Sequence, residues 1–361
     1  MRSIAAARVL TPAGWLERRA VVVDGNGMIA AIEPVDDAPE RILAPGFVDL
    51  QVNGIDDIDV ATAVGDDWQR LDELLLRQGV TTWCPTLVTM ALDEYDAPLH
   101  RIRDAMDRPP SPRPHLVGAH LEGPFLGGAH GAHRLELVVP LDLGWLDTLP
   151  DHVRVVTIGP EQSGAPQAIA RLVARGVVVS LGHTRADERE FAAAVDAGAT
   201  MVTHLFNAMS GAHHREPGVA VFAINEPRVG ASIIADGVHV HPAVLRLAFG
   251  ALRERAVLVT DAVAWRHGAV GPVALTMHDG APRLADGTLV GSALTMDRAV
   301  RTCVGAGVEL ADALHAASTE PARRLGRADR GAIEVGRRAD LVGLTHDLEV
   351  EQTWVGGEPT L

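Results

Sequence analysis

Acidic and imidazole side chains stand directly after short apolar runs at well-separated points of the chain. These residues are Glu122, His183, His204, Asp236, His239 and Asp261. Carboxylate and imidazole groups bind the divalent ion of hydrolytic metal centres, with water in the open position. A lone histidine there is more often a hydrogen-bonded turn residue, and a lone aspartate is usually a helix cap. Coincidence at the ends of five runs is a poor explanation, so the pattern predicts a metal centre.

Within this set we assign Glu122, His183 and His204 as the metal ligands. A catalytic zinc site keeps three protein ligands and one open position, and two imidazoles with one carboxylate meet that need. Asp261 is then left to act as the general base that accepts a proton from the attacking water. We expect zinc, with iron, manganese or cobalt as alternatives, because ligand type alone does not choose among these ions.

The composition excludes several kinds of chemistry. All 32 basic residues are arginines, so no lysine can carry a Schiff base, a carbamylated metal bridge or a P-loop phosphate contact. The net charge of −15 argues against nucleic acid as a partner. We find neither an apolar stretch of membrane-spanning length nor an export signal, and therefore expect a cytoplasmic protein without a membrane partner. Cys84 and Cys303 are expected to be reduced packing residues.

The elements that position the candidate residues alternate along the middle of the chain. Helical patterns such as 68–78, 166–175, 187–197 and 242–253 lie between apolar runs. The runs, which we predict as strands, are 47–52, 80–86, 116–121, 153–158, 177–181, 200–203, 231–235 and 257–260. This alternation predicts the α/β class and a TIM-like (β/α)8 barrel over residues 45–333. Active sites of such barrels form where the strands end.

Two further features complete the predicted organisation. Residues 1–44 and 334–361 read as short strands with turns, including Asp24-Gly25-Asn26-Gly27, and predict one small β-sandwich built from both termini. A β-hairpin is predicted near 273–290, with turns at Asp279-Gly280 and Asp286-Gly287, as an insert in the barrel domain.

Eight segments along the whole chain carry a family resemblance. In order they read PGFVDLQVNG (45–54), HLEGPF (120–125), GHT (182–184), THLFNAM (203–209), REPG (215–218), ADGVH (235–239), VTDA (259–262) and GSALTM (291–296). Together they resemble the N-acetylglucosamine-6-phosphate deacetylase family of the amidohydrolase superfamily. The resemblance implies a metal-dependent hydrolase with a barrel and a terminal β-sandwich. It also implies removal of acetyl from N-acetylglucosamine 6-phosphate, giving glucosamine 6-phosphate and acetate.

The resemblance also implies roles outside the ligand set. His133 would donate to the developing oxyanion, with His130 of the same loop as the alternative. Asn207 and Ala208 would face the sugar of this small-molecule amino-sugar phosphate. Arg215 and His239 would bind its phosphate. In relatives the arginine reaches the site of the neighbouring subunit, which implies a homodimer.

Departures from the superfamily pattern refine these expectations. Most members carry His-x-His on the first strand, where this chain has Gln51 and Asn53. Neutral amides are poor ligands, so with lysine also missing we predict one divalent ion per subunit. The acidic segment with Asp56, Asp57 and Asp59 would repel an anionic substrate unless it points away. Trp265 could stack on a sugar, and Arg266 could add positive charge.

These departures leave two other functions open. N-acetylgalactosamine 6-phosphate, or another N-acyl compound, is the alternative substrate. A non-catalytic amidohydrolase-like scaffold is the remote alternative, although the retained Glu122, His183, His204 and Asp261 argue against it.

Overall fold

The computed structural model describes residues 1–360 and places the strands in two large sheets and three two-stranded pairs. The strands are β1 (Arg2–Thr11), β2 (Gly14–Val23), β3 (Ile29–Pro34), β4 (Ile42–Pro45), β5 (Phe47–Val52), β6 (Gly54–Ile55), β7 (Ile58–Asp59), β8 (Val80–Val88), β9 (His115–Leu116), β10 (Ala119–Glu122), β11 (Val153–Ile158), β12 (Val178–Leu181), β13 (Met201–Val202), β14 (Gly230–Ile234), β15 (Ala256–Val259), β16 (Ala269–Val270), β17 (Val273–Ala274), β18 (Thr276–His278), β19 (Ala281–Arg283), β20 (Leu341–Leu344), β21 (Val350–Val355) and β22 (Glu358–Thr360).

The helices lie mainly between the strands of the middle region. They are α1 (Asp67–Arg77), α2 (Asp96–Met106), α3 (Leu143–Thr148), α4 (Ala165–Ala174), α5 (Glu188–Asp196), α6 (Gly218–Asn225), α7 (Pro242–Leu252), α8 (Met296–Gly305), α9 (Leu310–Ala317) and α10 (Thr319–Arg324). The start of α5 shows how sequence fixes such a helix. Asp187 accepts hydrogen bonds of 2.8 Å from the backbone nitrogens of Arg189 and Glu190, and Glu190 in turn accepts from the Asp187 nitrogen. This capping box satisfies backbone groups that would otherwise lack partners.

Eight parallel strands form the predicted barrel in the order β5-β8-β10-β11-β12-β13-β14-β15. Every residue of β5, β14 and β15 is buried, as expected for strands covered on both faces. Between β15 and β5 the ring is closed by side-chain and backbone hydrogen bonds. Thr260 Oγ1 donates to Asp49 Oδ2 over 2.6 Å, and the Asn53 nitrogen donates to the Ala262 oxygen over 2.8 Å. Burial raises the pKa of Asp49 to about 7. The closure brings the end of β5 beside Asp261, and the barrel prediction is confirmed.

The predicted third strand, 116–121, is divided in two. β9 pairs with β8 at the barrel's edge, whereas β10 continues the ring. Gly118 lies between them with a φ of +145°, and a Cβ there would come within 2.2 Å of the His152 backbone oxygen. Only glycine therefore fits this break, which a pattern of apolar residues does not reveal.

The two termini build one seven-stranded sheet in the order β22-β21-β20-β4-β1-β2-β3. The strands from the amino terminus and those from the carboxyl terminus share a core that includes Ile4, Val21, Ile29, Leu341 and Trp354. A bridge between residues 28 and 338 joins these two groups of strands again. The separate small β domain built from both termini is confirmed, and its strands form this one sheet, while the domain limits 1–44, 45–333 and 334–361 stay a prediction.

After β15 the chain forms two small antiparallel pairs, β16-β17 and β18-β19. Asp279 and Gly280 connect β18 to β19 with φ values of +49° and +76°, as a two-residue type I′ turn requires. Val263, Val270, Val273, Leu275 and Val290 pack into a separate small cluster here. Within residues 1–360, no helix is long and apolar enough to cross a lipid bilayer.

Candidate active site

Glu122, His183 and His204 meet at the carboxyl ends of β10, β12 and β13. Glu122 ends its strand, and the two histidines follow theirs. All three residues are buried. His183 and His204 have φ values of +50° and +29°, and Asp261, which follows β15, has +48°. Residues other than glycine rarely adopt this strained, positive-φ backbone conformation, and those that do are concentrated at functional sites.

The ligand atoms of the three residues form a tight triangle. His183 Nε2 and His204 Nε2 lie 3.0 Å apart, and they lie 3.2 Å and 3.1 Å from Glu122 Oε1. Atoms held tetrahedrally by zinc at about 2.0–2.1 Å are about 3.3 Å from one another. The triangle therefore has the dimensions of a ligand set for a single ion.

Hydrogen bonds on the outer side of each ring show which nitrogen is free. His183 Nδ1 donates to the His130 backbone oxygen over 3.2 Å, and His204 Nδ1 donates to the Asn207 oxygen over 3.2 Å. A carbonyl only accepts, so in each neutral ring Nε2 is left with a lone pair. Two such lone pairs 3.0 Å apart beside a carboxylate repel one another unless a cation joins them. The donors thus fit a divalent metal ion.

The charges around the triangle shift its pKa values. Burial alone would raise the pKa of Glu122, but the adjoining imidazoles hold it well below its usual range. Burial lowers the pKa of His183. Burial opposes protonation of His204 too, yet the Glu122 carboxylate raises its pKa. Burial, followed by repulsion from Glu122, raises the pKa of Asp261 to about 8. A cation on Glu122 would offset that repulsion and favour ionised Asp261.

Gln51 of β5 and Asn53, which directly follows that strand, act on the two carboxylates as hydrogen-bond donors. Gln51 Nε2 lies 2.8 Å from Glu122 Oε1 and 3.0 Å from Asp261 Oδ1, and Asn53 Nδ2 lies 2.7 Å from Asp261 Oδ1. The second oxygen of Asp261, Oδ2, takes part in neither of these hydrogen bonds. The sequence pattern marks this pair only as poor metal ligands and does not predict the donor role. The available signal was two amides at alternate positions, which share one face of a strand.

His133 lies beside the triangle, with Nε2 3.8 Å from Glu122 Oε2. The Thr89 backbone nitrogen donates to His133 Nδ1 over 3.4 Å, and Thr89 Oγ1 lies 2.8 Å from the same atom. A backbone N–H only donates, so in the neutral ring the hydrogen is on Nε2. Burial lowers the pKa of His133 to about 3, which keeps the ring neutral.

This proton placement separates His133 from the ligands. Glu122, His133 and His183 also form a group whose ligand atoms all lie within 4.8 Å of one another. The 3.0–3.2 Å triangle with His204 is tighter, and its rings present lone pairs rather than a hydrogen. His133 is thus placed as a donor. His130, the other candidate of this loop, contributes its backbone oxygen to His183.

A cavity of about 190 Å³ opens over the triangle. Asn207, Ala208 and His239 line it, and their contacts with a sugar and its phosphate stay predictions. His239 Nδ1 is 2.6 Å from Asp236 Oδ2, so Asp236 supports His239 rather than the metal triangle. One wall is aliphatic and consists of Val88, Ile234, Val263, Val270, Val273, Leu289 and Val290.

Arg215 lies outside this cavity on an exposed stretch of the chain. Its backbone nitrogen donates to His213 Nδ1 over 3.4 Å. Among the described residues of a single chain, no arginine lines the cavity. Action of Arg215 on the site of a neighbouring subunit stays a prediction.

The acidic segment is neutralised within its own surroundings. Asp56 pairs with Arg266 over 2.8 Å, and Asp57 pairs with Arg70 over 2.7 Å. Asp59 accepts hydrogen bonds from backbone nitrogens, including that of Gly271 at 2.7 Å. None of these aspartates lines the cavity, so the segment lies away from the site.

Trp265 and Arg266 are likewise directed elsewhere. The Arg266 guanidinium lies 4.9 Å from the centre of the Trp265 ring, while Trp265 packs on the apolar cluster of the insert. Neither side chain lines the cavity, so the structure places neither on the sugar.

Comparison with known proteins agrees with this geometry. The profile of the amidohydrolase family matches residues 42–360. The chain is 39% identical to an N-acetylgalactosamine-6-phosphate deacetylase of Escherichia coli O157:H7, over 98% of this chain and 97% of that protein. The crystal structure of N-acetylglucosamine-6-phosphate deacetylase from Thermotoga maritima superposes with a TM-score of 0.93 at 31% identity, covering 99% of each chain.

A third relative was solved with a sugar phosphate. A variant of N-acetyl-D-glucosamine-6-phosphate deacetylase from Mycobacterium smegmatis, in complex with N-acetyl-D-glucosamine 6-phosphate, superposes with a TM-score of 0.91 at 34% identity. The match covers 99% of this chain and 98% of that one.

Proposed function

The chain belongs to the N-acetylglucosamine-6-phosphate deacetylase family of the amidohydrolases, and we propose that it hydrolyses the acetamide of N-acetylglucosamine 6-phosphate. The products would be glucosamine 6-phosphate and acetate. The observation that carries this proposal is the triangle of Glu122 Oε1, His183 Nε2 and His204 Nε2. Its open side faces the cavity beside a carboxylate that two amides hold in place.

We propose that Glu122, His183 and His204 hold one divalent ion, with zinc expected. When bound, such an ion polarises a carbonyl and lowers the pKa of water towards neutrality. The amides of Gln51 and Asn53 occupy the positions where a second ion would need imidazoles, and they donate hydrogen bonds. This chain therefore offers the donors for a one-ion site.

Asp261 would move the proton in both directions. Gln51 and Asn53 keep Oδ1 engaged, so Oδ2 accepts the proton of the attacking water. Amide cleavage then requires a proton on the sugar nitrogen, because an unprotonated amine anion is a very poor leaving group. The same oxygen of Asp261 returns it.

His133 would stabilise the negative charge that develops on the amide oxygen. Thr89 fixes the ring with its Nε2–H directed to the side of Glu122. A neutral donor held in advance of the reaction gives such stabilisation without reorganisation in the transition state.

Substrate recognition would divide between sugar and phosphate. Asn207 and Ala208, next to ligand His204, border the sugar, and His239 points an imidazole backed by Asp236 at the phosphate. Since no arginine of the same described chain lines the cavity, we propose that Arg215 of a second subunit completes the phosphate site in a homodimer. A cytoplasmic location is part of this proposal.

Acetate release from a matched panel tests the substrate. The panel holds N-acetylglucosamine and N-acetylgalactosamine, each with and without the 6-phosphate. We expect the largest kcat/KM for N-acetylglucosamine 6-phosphate and a large loss without phosphate. A higher kcat/KM for N-acetylgalactosamine 6-phosphate would make that sugar the proposed substrate. Equal kcat/KM values with and without the 6-phosphate would contradict recognition of the phosphate.

The galacto epimer is included because one observation favours it. The relative that is 39% identical over 98% of this chain is an N-acetylgalactosamine-6-phosphate deacetylase. The two sugars differ only at C4, and the metal triangle and Asp261 act equally on either acetamide.

A further inference from the structure

Beneath the triangle, buried side chains on neighbouring strands form a continuous series of hydrogen bonds. Ser180 Oγ is 2.6 Å from Thr203 Oγ1, which is 3.0 Å from Thr157 Oγ1. Thr157 Oγ1 is 2.8 Å from His120 Nε2, and His120 Nδ1 is 3.0 Å from the Leu50 oxygen. The four side chains are at most 3% exposed. We call Ser180, Thr203, Thr157 and His120 the polar chain.

The polar chain has a single direction. The Leu50 oxygen only accepts, so His120 Nδ1 carries the hydrogen and, in the neutral ring, Nε2 accepts from Thr157. Thr157 must then accept from Thr203, and Thr203 from Ser180. Thr157 and Thr203 each accept one hydrogen bond and donate another, so removal of either hydroxyl leaves buried neighbours unpaired.

Its members stand next to the proposed ligands in the sequence. His120 precedes Glu122 by two residues, Ser180 precedes His183 by three, and Thr203 adjoins His204. The other end reaches Leu50, directly before Gln51. The polar chain thus links the strands whose ends carry the triangle and the amide donor.

Gly182 gives independent evidence that the polar chain is tightly packed. A Cβ at Gly182 would come within 2.8 Å of Thr203 Cβ and 2.9 Å of Thr157 Cγ2. Its backbone needs no left-handed conformation, so its missing side chain is explained by space. The residue before ligand His183 leaves room for the contact between the two threonines.

We propose that the polar chain is a positioning layer, which holds β10, β12 and β13 at the separation that the metal ligands require. The proposal rests on the metal site proposed above. Supporting groups of this kind typically change metal affinity or activity by about 10–100-fold when they are removed. The layer touches neither the ion nor the substrate and acts through the ligands.

Thr157→Val tests the layer because it exchanges a hydroxyl for a methyl of nearly equal size. It leaves Thr203 without an acceptor and His120 without a donor. We expect bound Zn²⁺ to leave the loaded full-length enzyme for excess chelator at least about tenfold faster than from wild type. Thr157→Ser keeps the hydroxyl and should restore slow release.

Thr353→Val is the matched control. Thr353 is 1% exposed and donates to the Leu76 oxygen over 2.8 Å, away from the metal triangle. The Thr353→Val substitution should lower the thermal midpoint about as much as Thr157→Val does and leave the rate of Zn²⁺ release as in wild type. Equal release rates for both variants would overturn the positioning role and leave only a contribution to stability.

Three other outcomes are also decisive. If Thr157→Val does not fold, Ser180→Ala replaces it, since it removes only the first donor; faster release supports the layer, and wild-type release overturns it. If wild type itself retains no metal ion, the proposed metal site fails and the positioning layer fails with it. Slow release from wild type and from Thr157→Val alike refutes the layer alone.

Discussion

Replacing Asp261 with asparagine exchanges one carboxylate oxygen for an amide nitrogen and keeps the shape of the side chain. Gln51 and Asn53 both donate to Oδ1, at 3.0 Å and 2.7 Å. The amide oxygen of Asp261→Asn can take that position and keep both hydrogen bonds. Its nitrogen then occupies the place of Oδ2. The fold and the metal triangle should therefore be preserved.

The kinetic cost follows from the role of the lost oxygen. An amide nitrogen accepts no proton, so Asp261→Asn lacks both the base for water and the acid for the amine. General acid–base catalysis contributes about 10²–10⁴-fold, or about 3–5.5 kcal/mol of barrier at about 1.36 kcal/mol per tenfold. We expect kcat to fall within this range. KM should change little, because Asp261 acts on the transition state.

Three measurements on the same sample decide the matter. Acetate release gives kcat and KM, elemental analysis gives the metal content, and a thermal scan confirms folding. A variant that keeps its metal ion and loses less than about tenfold in kcat would refute the assignment of Asp261 as the base, since proton transfer would then lie elsewhere.

Three further substitutions probe the groups around the triangle. His133→Ala should lower kcat by at least about a hundredfold with little change in KM, as for other oxyanion donors, and an unaffected kcat would exclude His133 from that role. Asn53→Ala removes the 2.7 Å donor to Asp261. It should lower kcat about tenfold at unchanged metal content, the effect of about 1.4 kcal/mol, and loss of the metal ion instead would make Asn53 a ligand. Arg215→Ala should raise the KM for N-acetylglucosamine 6-phosphate at least about tenfold and leave the KM for the unphosphorylated sugar unchanged. An equal rise for both substrates would show that Arg215 does not bind the phosphate.

The barrel and the triangle could be predicted because their signals are local. Each strand is a short buried run, and each triangle residue either ends its strand or follows it within two residues. Glu122, His183 and His204 are identified together, because acidic and imidazole residues recur at the ends of several runs. The sequence does not predict the break of strand 116–121 at Gly118, because its cause is the close approach of the His152 backbone oxygen, which lies far along the chain.

The remaining features depend on pairs that the sequence does not connect. The charge of Asp56 is paired with that of Arg266, some 210 residues away in the sequence. Gln51 becomes a donor only because the ring closure brings β5 next to Asp261. The proton on His133 is fixed by a backbone nitrogen of Thr89, which has no sequence signature at all.

Metal-stripped enzyme titrated with Zn²⁺ tests the central claim most directly. With N-acetylglucosamine 6-phosphate as substrate, acetate release should be absent without metal ion, rise in proportion to added Zn²⁺ and level off at one equivalent per chain. That result follows from one triangle of Glu122, His183 and His204 with amides in place of a second ligand pair. Full activity without metal ion, or a rise that continues to two equivalents, would contradict it.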